Sequence, residues 1–228
     1  MPRPLRIQTA GFVHHVIARG NDRQALFISP EDFRKFLDIL DATRKQFPLH
    51  IYNYCLMDNH LHLLVEPLED GALSKVMQIT SKEYAKYFNY KYERTGHVFE
   101  GRFKSFLIQK ERYFFACSRY IDLNSVKARV VAEPQKYIWS GYARLGYGEK
   151  AAIKLDQHDL YMNLGANDTE RQIAYRALVM NYPGEDLDLM NQRASILGDR
   201  TFKKNLKSEI SGESDNDASA QDEAENEK

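Results

Sequence analysis

Cysteine is scarce. Only Cys55 and Cys117 occur among 228 residues, both in apolar stretches, so buried thiols of a reducing compartment are expected rather than a disulfide frame. Long apolar runs are missing too. No stretch approaches the roughly 18 residues of a membrane-spanning helix, and no membrane association is expected. Met1-Pro2-Arg3-Pro4-Leu5-Arg6 lacks the apolar core of a secretory leader, which leads to the expectation of a cytoplasmic protein. No phosphate-cradling Gly-x-x-x-x-Gly-Lys loop and no internal repeat is found. A surplus of either charge is absent as well: 32 Lys and Arg offset 32 Asp and Glu. The balance is uneven, however. Eight acidic residues (Glu209, Glu213, Asp215, Asp217, Asp222, Glu223, Glu225, Glu227) and one basic residue, Lys228, lie beyond residue 208, which leaves 31 basic and 24 acidic residues before it. A body of +7 beside a tail of −7 suits a polyanionic partner, although an ordinary protein can carry the same pattern.

The apolar fraction of 43% is ample for a core. Phe12 to Ala18 reads as a strand containing His14 and His15, followed by the turn Ala18-Arg19-Gly20-Asn21-Asp22-Arg23. Ser29-Pro30-Glu31-Asp32 opens a helix, with Ser29 as N-cap, Pro30 at N1 and Asp32 in the capping-box position. Phe33, Phe36, Leu37 and Leu40 follow at helical spacing, and Phe47-Pro48 stops them. Leu49 to Met57 and His60 to Glu66 read as two strands of a hairpin turning at Asp58-Asn59. Leu73, Val76, Met77, Thr80, Tyr84 and Phe88 stripe a helix to about Tyr92, whose other side carries Lys75, Lys82, Lys86 and Lys91. A strand ending at Gln109 precedes a helix from Glu111 to about Val131. The order β-α-β-β-α-β predicts an α+β, ferredoxin-like antiparallel sheet. Both crossover helices then lie on one face, and the other face stays open for a site. Beyond Val131 the signals weaken. Trp139-Ser140-Gly141-Tyr142 reads as an aromatic anchor, and Asp156 to Leu164 as a short helix. Asp168 reads as the cap of a helix carrying Ile173, Leu178 and Val179. Leu187 to Ile196 and Asp199 to Leu206 suggest two more helices around Gly198. The expected divisions are 1–148 for the main domain, 149–207 for a helical extension, and 208–228 for an acidic tail too polar to fold.

The chemistry-bearing stretch is Asp58-Asn59-His60-Leu61-His62-Leu63-Leu64. In a strand, His60 and His62 share one face while Leu61, Leu63 and Val65 take the other. Two adjacent imidazoles can hold one divalent metal if a third ligand arrives. Two half-buried histidines with ordinary hydrogen bonds are the other open reading, and for a bare His-x-His the commoner one. Further along, Tyr120 and Asn124 share a helix face. Asn124 offers a hard amide oxygen suited to Mg²⁺ or Mn²⁺, and Tyr120 a phenol one turn away. With 14 tyrosines in the chain, packing alone would also account for Tyr120.

Taken together these segments resemble the HUH single-tyrosine transposases (IS200-like), and within them the REP-associated tyrosine transposase branch. The resemblance covers roughly residues 5–145. It runs through the His-rich first strand ending Ala18-Arg19-Gly20-Asn21, the His60/His62 pair, Gly96-His97-Val98-Phe99-Glu100-Gly101-Arg102-Phe103-Lys104, the Tyr120-Ile121-Asp122-Leu123-Asn124 helix, and Trp139-Ser140-Gly141-Tyr142. Ile196-Leu197-Gly198-Asp199-Arg200-Thr201-Phe202 is similar to the branch's C-terminal region. Asp58-Asn59 stands where the family usually has Pro-Asn. Asn124-Ser125-Val126-Lys127-Ala128 stands for the usual Asn-Pro-Val-Arg-Ala, and Lys127 for arginine loses bidentate phosphate geometry.

The resemblance implies cleavage and rejoining of single-stranded DNA folded into repetitive palindromic hairpins. Tyr120 would be the nucleophile, forming a 5′-phosphotyrosine, and His60, His62 and Asn124 would hold one Mg²⁺ or Mn²⁺ as Lewis acid and template. A free phenol ionises only near pH about 10, so metal proximity or a base must assist it. Arg19, Arg23, His97, Arg102, Lys104, Arg119 and Lys127 are the candidate DNA contacts, with His97 equally suited to capping its own loop. Tyr84, Tyr87, Phe88, Tyr90 and Tyr92 could stack on bases or pack in a core. A monomer or weak homodimer is expected. Two other classes fit the same fold: a non-catalytic hairpin-binding module, and a metallo-phosphodiesterase using activated water.

Overall fold

The computed structural model describes residues 9–181 and 196–211. Strand β1 (His14–Arg19) leads to helix α1 (Pro30–Gln46), the hairpin β2 (Leu49–Met57) and β3 (His60–Pro67), helix α2 (Ala72–Lys91), and strand β4 (Lys104–Ile108). This is the expected ferredoxin-like order. The strands lie β2-β3-β1-β4, all antiparallel, and a short β5 (Ile196–Leu197) extends the sheet in parallel beside β4.

Period-two alternation in the strands and helical spacing in α1 and α2 generate one core. Val16, Ala18, Leu61, Leu63 and Val65 meet Phe33, Phe36, Leu37 and Leu40 of α1 and Leu73, Val76, Met77, Tyr84 and Phe88 of α2. Asp32 joins the two helices. Its buried carboxylate accepts from the Ile28 and Ser29 N–H groups and from Lys91 Nζ, Tyr87 and Tyr92. Lys91 is therefore not the simple exposed lysine that helical spacing suggests.

The opposite sheet face is not open. Helix α3 (Lys110–Asp122) lies on it and seals Phe114, Cys117 and Ile121 against Tyr52, Cys55, Leu64, Phe106 and Ile108. Burying an apolar sheet face outweighs leaving it free. The expected helix from Glu111 to Val131 is interrupted: α3 ends at Asp122, and Asn124–Lys127 forms a separate turn, α4. Both cysteines are buried and unpaired with each other.

Residues after α4 wrap the sheet's β2 edge. Trp139 stacks on Phe33 with ring centroids 4.6 Å apart. Its carbonyl accepts from Leu56 N–H, and Gly141 N–H donates to Tyr54 O, each at 2.9 Å. Helices α5 (Tyr142–Tyr147), α6 (Asp159–Met162) and α7 (Asp168–Asn181) enclose a small cluster of Tyr142, Leu145, Tyr161, Tyr175 and Val179. Four local expectations are corrected here. Asp156 belongs to no helix: its N–H donates to Ile51 O, and its carboxylate takes the Ile51 N–H and Arg44. Asn167 caps α7 instead of Asp168, accepting from Glu170 N–H at 3.0 Å. Ile173 stays 53% exposed, because Tyr175 and Val179 turn the other side of α7 inward. Ile196, assigned to a helix by its apolar neighbours, pairs with Leu107 as a strand. The rest of that stretch, residues 187–195, and the acidic tail from 212 on lie outside the described residues. Asp199 caps α8 (Arg200–Ser211) through Phe202 N–H and brackets Gln109. Among the described residues no helix is long and apolar enough to cross a membrane.

Candidate active site

Pleating sets the site. His60 and His62 point to the α3 face of β3, opposite Leu61 and Leu63. Their partners on β1 are Arg19 and Ile17. His62 is fully buried. Its Nδ1 lies 2.9 Å from His15 Nε2, and its Nε2 is buried with no hydrogen-bond partner. His60 is half-buried and bonds through Nδ1 to Asn59 Oδ1 at 2.7 Å.

Tyr120, near the end of α3, stands over this pair. Its ring meets His62 edge-on at 5.4 Å and His15 at 5.8 Å. Asn124 Nδ2 donates back to Tyr120 O at 2.7 Å, which carries the amide across the break at Leu123. The Asn124 side chain also lies beside His60, where it favours the protonated imidazole. Lys127 Nζ lies 5.5 Å from the centre of the Tyr120 ring. His60, His62, Tyr120 and Asn124 are thus brought together by one chain.

Electrostatics keep the imidazoles neutral. Burial pushes His62 well below the usual histidine range, and neighbouring His15, His60 and Arg19 push it further. His60 is lowered by burial and then by Arg19, with Asn124 and Asp58 opposing. Burial takes His15 down to about 3. Neutral imidazoles have lone pairs to give, which a metal ligand requires. Among the described residues no group of three or more His, Cys, Asp and Glu could hold a metal. A third protein donor would have to be of another type, and Asn124, in contact with His60, supplies an amide oxygen. The partnerless Nε2 of buried His62 and this donor set fit one divalent ion.

The remaining candidates divide. Arg19 ends β1 beside His60. Arg23 is exposed on the turn Asn21–Arg23, where its carbonyl accepts from Asn59 Nδ2. The 97–104 segment is stitched to this end of β1 by Asn21 N–H to Val98 O and Glu100 N–H to Arg19 O. His97, Arg102 and Lys104 are exposed along it. Gly20, in the same turn, allows a close approach: a Cβ there would lie 2.0 Å from Gln24 O. Arg119 is different, since its Nε donates to Val179 O of α7 at 2.8 Å. Of the aromatic residues on α2 and after it, Tyr84 and Phe88 are core, Tyr87 and Tyr92 serve Asp32, and Tyr90 is exposed.

Sequence reasoning missed two features. One is His15 behind His62; its place on the same strand parity as Ile17 would have flagged it, given the β1–β3 pairing. The other is a buried polar network. A bulge between Ile51 and Asn53 turns Asn53 toward α3. There its amide donates to Ser118 Oγ at 3.0 Å and Asp122 Oδ1 at 2.9 Å, while Tyr175 of α7 donates to Asp122 Oδ2 at 2.6 Å. Burial raises the Asp122 carboxyl to about 7, against the pull of Tyr175 and Asn53. No local pattern announces this network.

A ferredoxin-like sheet carries the His-x-His strand beneath Tyr120 of α3 and Asn124 at the start of α4, and residues 9–124, which hold all of these, match the model of the IS200-like transposases: the chain belongs to that family. Among solved structures, it is similar to a REP-associated tyrosine transposase bound to a REP hairpin. That likeness has a TM-score of 0.56 at 16% identity, covering 69% of this chain and 93% of the other. No curated protein matches the sequence.

Proposed function

We propose that the protein is a metal-dependent single-stranded DNA endonuclease and strand transferase that acts on repetitive palindromic hairpins through a 5′-phosphotyrosine. The observation that carries this reading is the meeting of the Tyr120 ring with His62, whose Nε2 is buried and unpartnered, beside the His60–Asn124 contact. His60, His62 and Asn124 hold the cation. When bound, Mg²⁺ or Mn²⁺ supplies Lewis acidity to the scissile phosphate and orients it. The Tyr120 hydroxyl attacks phosphorus, forming the O–P bond of the phosphotyrosine and breaking the bond to the 3′ oxygen. The phenol's proton is released and the departing 3′ oxygen takes one up. Attack by another strand's 3′-OH reverses the step, so the phosphodiester energy is conserved and no nucleotide triphosphate is consumed.

Arg19, Arg23, Arg102 and Lys104 bind backbone phosphates and fix register rather than sequence; His97, Arg119 and Lys127 are further candidates. Nucleophile and ligands lie together within one chain, so each copy of a monomer or weak homodimer carries a complete site. The likeness to a hairpin-bound transposase supports a hairpin substrate.

The test is a labelled single-stranded hairpin incubated with the protein and Mn²⁺. A covalent protein–DNA adduct that disappears in Tyr120→Phe is the expected result. Cleavage that survives Tyr120→Phe would indicate a water nucleophile, and a mobility shift without cleavage a binding module; either refutes the reading.

A further inference from the structure

We infer that His15 is a positioning residue for His62, accepting from its Nδ1–H and so orienting the ring when Nε2 takes a divalent cation; this rests on the metal-dependent reading above. His15 is fully buried on β1. Its ring lies edge to edge with that of His62, nearly coplanar, with centroids 5.1 Å apart and planes 12° apart, and Phe106 backs it at 6.0 Å. Its neighbour His14 turns away toward Ser105. The two rings therefore meet in a fixed geometry, with His15 Nε2 2.9 Å from His62 Nδ1.

A neutral imidazole carries one proton, on one nitrogen or the other. A single proton lies between His15 Nε2 and His62 Nδ1. If it belongs to His15, the proton of His62 sits on Nε2 and no lone pair remains there. If it belongs to His62, Nε2 is bare. Both His15 Nδ1 and His62 Nε2 are buried and partnerless, so either arrangement leaves one buried N–H unpaired, and hydrogen bonding alone prefers neither. A cation at His62 Nε2 decides between them. His15 then accepts from His62 Nδ1–H, orienting the ring and raising its basicity, as outer-shell partners of ligating histidines do. His15→Phe keeps a flat buried ring but leaves that N–H without an acceptor. His15→Gln restores an acceptor near the same place.

The full-length protein is titrated calorimetrically with Mn²⁺ alone, as wild type, His15→Phe, His15→Gln and His62→Ala. The expected result is about 10–100-fold weaker binding in His15→Phe, substantial recovery in His15→Gln, and loss in His62→Ala. Long-range ¹H–¹⁵N spectra of the Mg²⁺-saturated wild type should show His62 protonated at Nδ1, a readout that needs no variant to fold. His15→Phe binding Mn²⁺ as tightly as wild type while His62→Ala does not would overturn the role of His15 and leave the metal site standing. A His62 protonated at Nε2 in the Mg²⁺ form would leave no lone pair there, and would overturn both its place among the ligands and this inference. A wild type that binds no Mn²⁺, or a His62→Ala that binds it unchanged, would overturn the metal reading and this inference with it.

Discussion

Replacing Tyr175 with phenylalanine tests whether α7 is clamped to the helix that carries Tyr120. The Tyr175 hydroxyl is buried, donates to Asp122 Oδ2 at 2.6 Å, and sits 3.0 Å from Ser118 Oγ and 3.3 Å from Asn53 Nδ2. Phenylalanine keeps the ring against Tyr142 and Tyr161 and removes only the donor. A hydrogen bond to a charged group is worth about 1.5–3 kcal/mol, and a neutral one about 1 kcal/mol. At pH 8 the Asp122 carboxyl, titrating at about 7, is mostly ionised, so the upper range applies. For a chain of this size each kcal/mol moves Tm by about 2–4 °C, giving an expected drop of roughly 3–12 °C in a thermal melt. Asp122→Asn and the double variant complete the cycle. Because the two groups touch, the single effects should fail to add by about 1 kcal/mol or more. A Tyr175→Phe melt indistinguishable from wild type at pH 8, or strictly additive effects, would show that the network does not hold α7 on α3.

Asp32 makes a pH-dependent prediction. Burial alone would raise its carboxyl, but hydrogen bonds from Lys91, Tyr92 and the Ser29 and Ile28 N–H groups bring it from 3.8 down to about 2. A depressed carboxylate stabilises the fold above its unfolded pKa, here by about 2 kcal/mol, and loses that contribution as pH falls from about 4 toward 2. Asp32→Asn should therefore be less stable than wild type to urea at pH 7, with the gap narrowing by pH 3; a constant gap contradicts the assignment. Gly141→Ala would place a Cβ 2.4 Å from Asn53 Oδ1 and 3.0 Å from Leu155 Cδ1. Overpacking of this kind costs about 1–3 kcal/mol, so a melt at or above the wild-type temperature would be evidence against the packing described. Asn124→Ala should weaken Mn²⁺ binding at least about tenfold while hairpin binding in EDTA stays unchanged. An unaltered Mn²⁺ isotherm would remove Asn124 from the ligand set.

Much of the frame was legible in the chain. The α2 stripe from Leu73 to Phe88 is buried as its spacing demands, and β2 runs from Leu49 to Met57 as read. His60 and His62 face away from Leu61, Leu63 and Val65 because strand alternation is a local rule that needs no partner. Where local rules compete with distant surfaces they fail. The short apolar pair Ile196-Leu197 takes a strand because β4 offers an open edge. Helix α7 turns Tyr175 inward, and Ile173 outward, because Asp122 waits on α3. Lys91 is drawn from the lysine side of α2 by the buried carboxylate of Asp32.

The sequence by itself determined the periodicities, and with them the order of elements, the two-His face of β3 and the spacing of Tyr120 and Asn124, since each depends on residues within a turn or a pleat of one another. Only the tertiary structure decided that α3 would close the face expected to be open, that His15 would stand behind His62, and that Asn53, Ser118, Asp122 and Tyr175 would share one buried network. These contacts join residues 47 to 122 positions apart. Which apolar face covers which, and which polar groups must then satisfy one another away from water, is settled only when those distant surfaces are packed together.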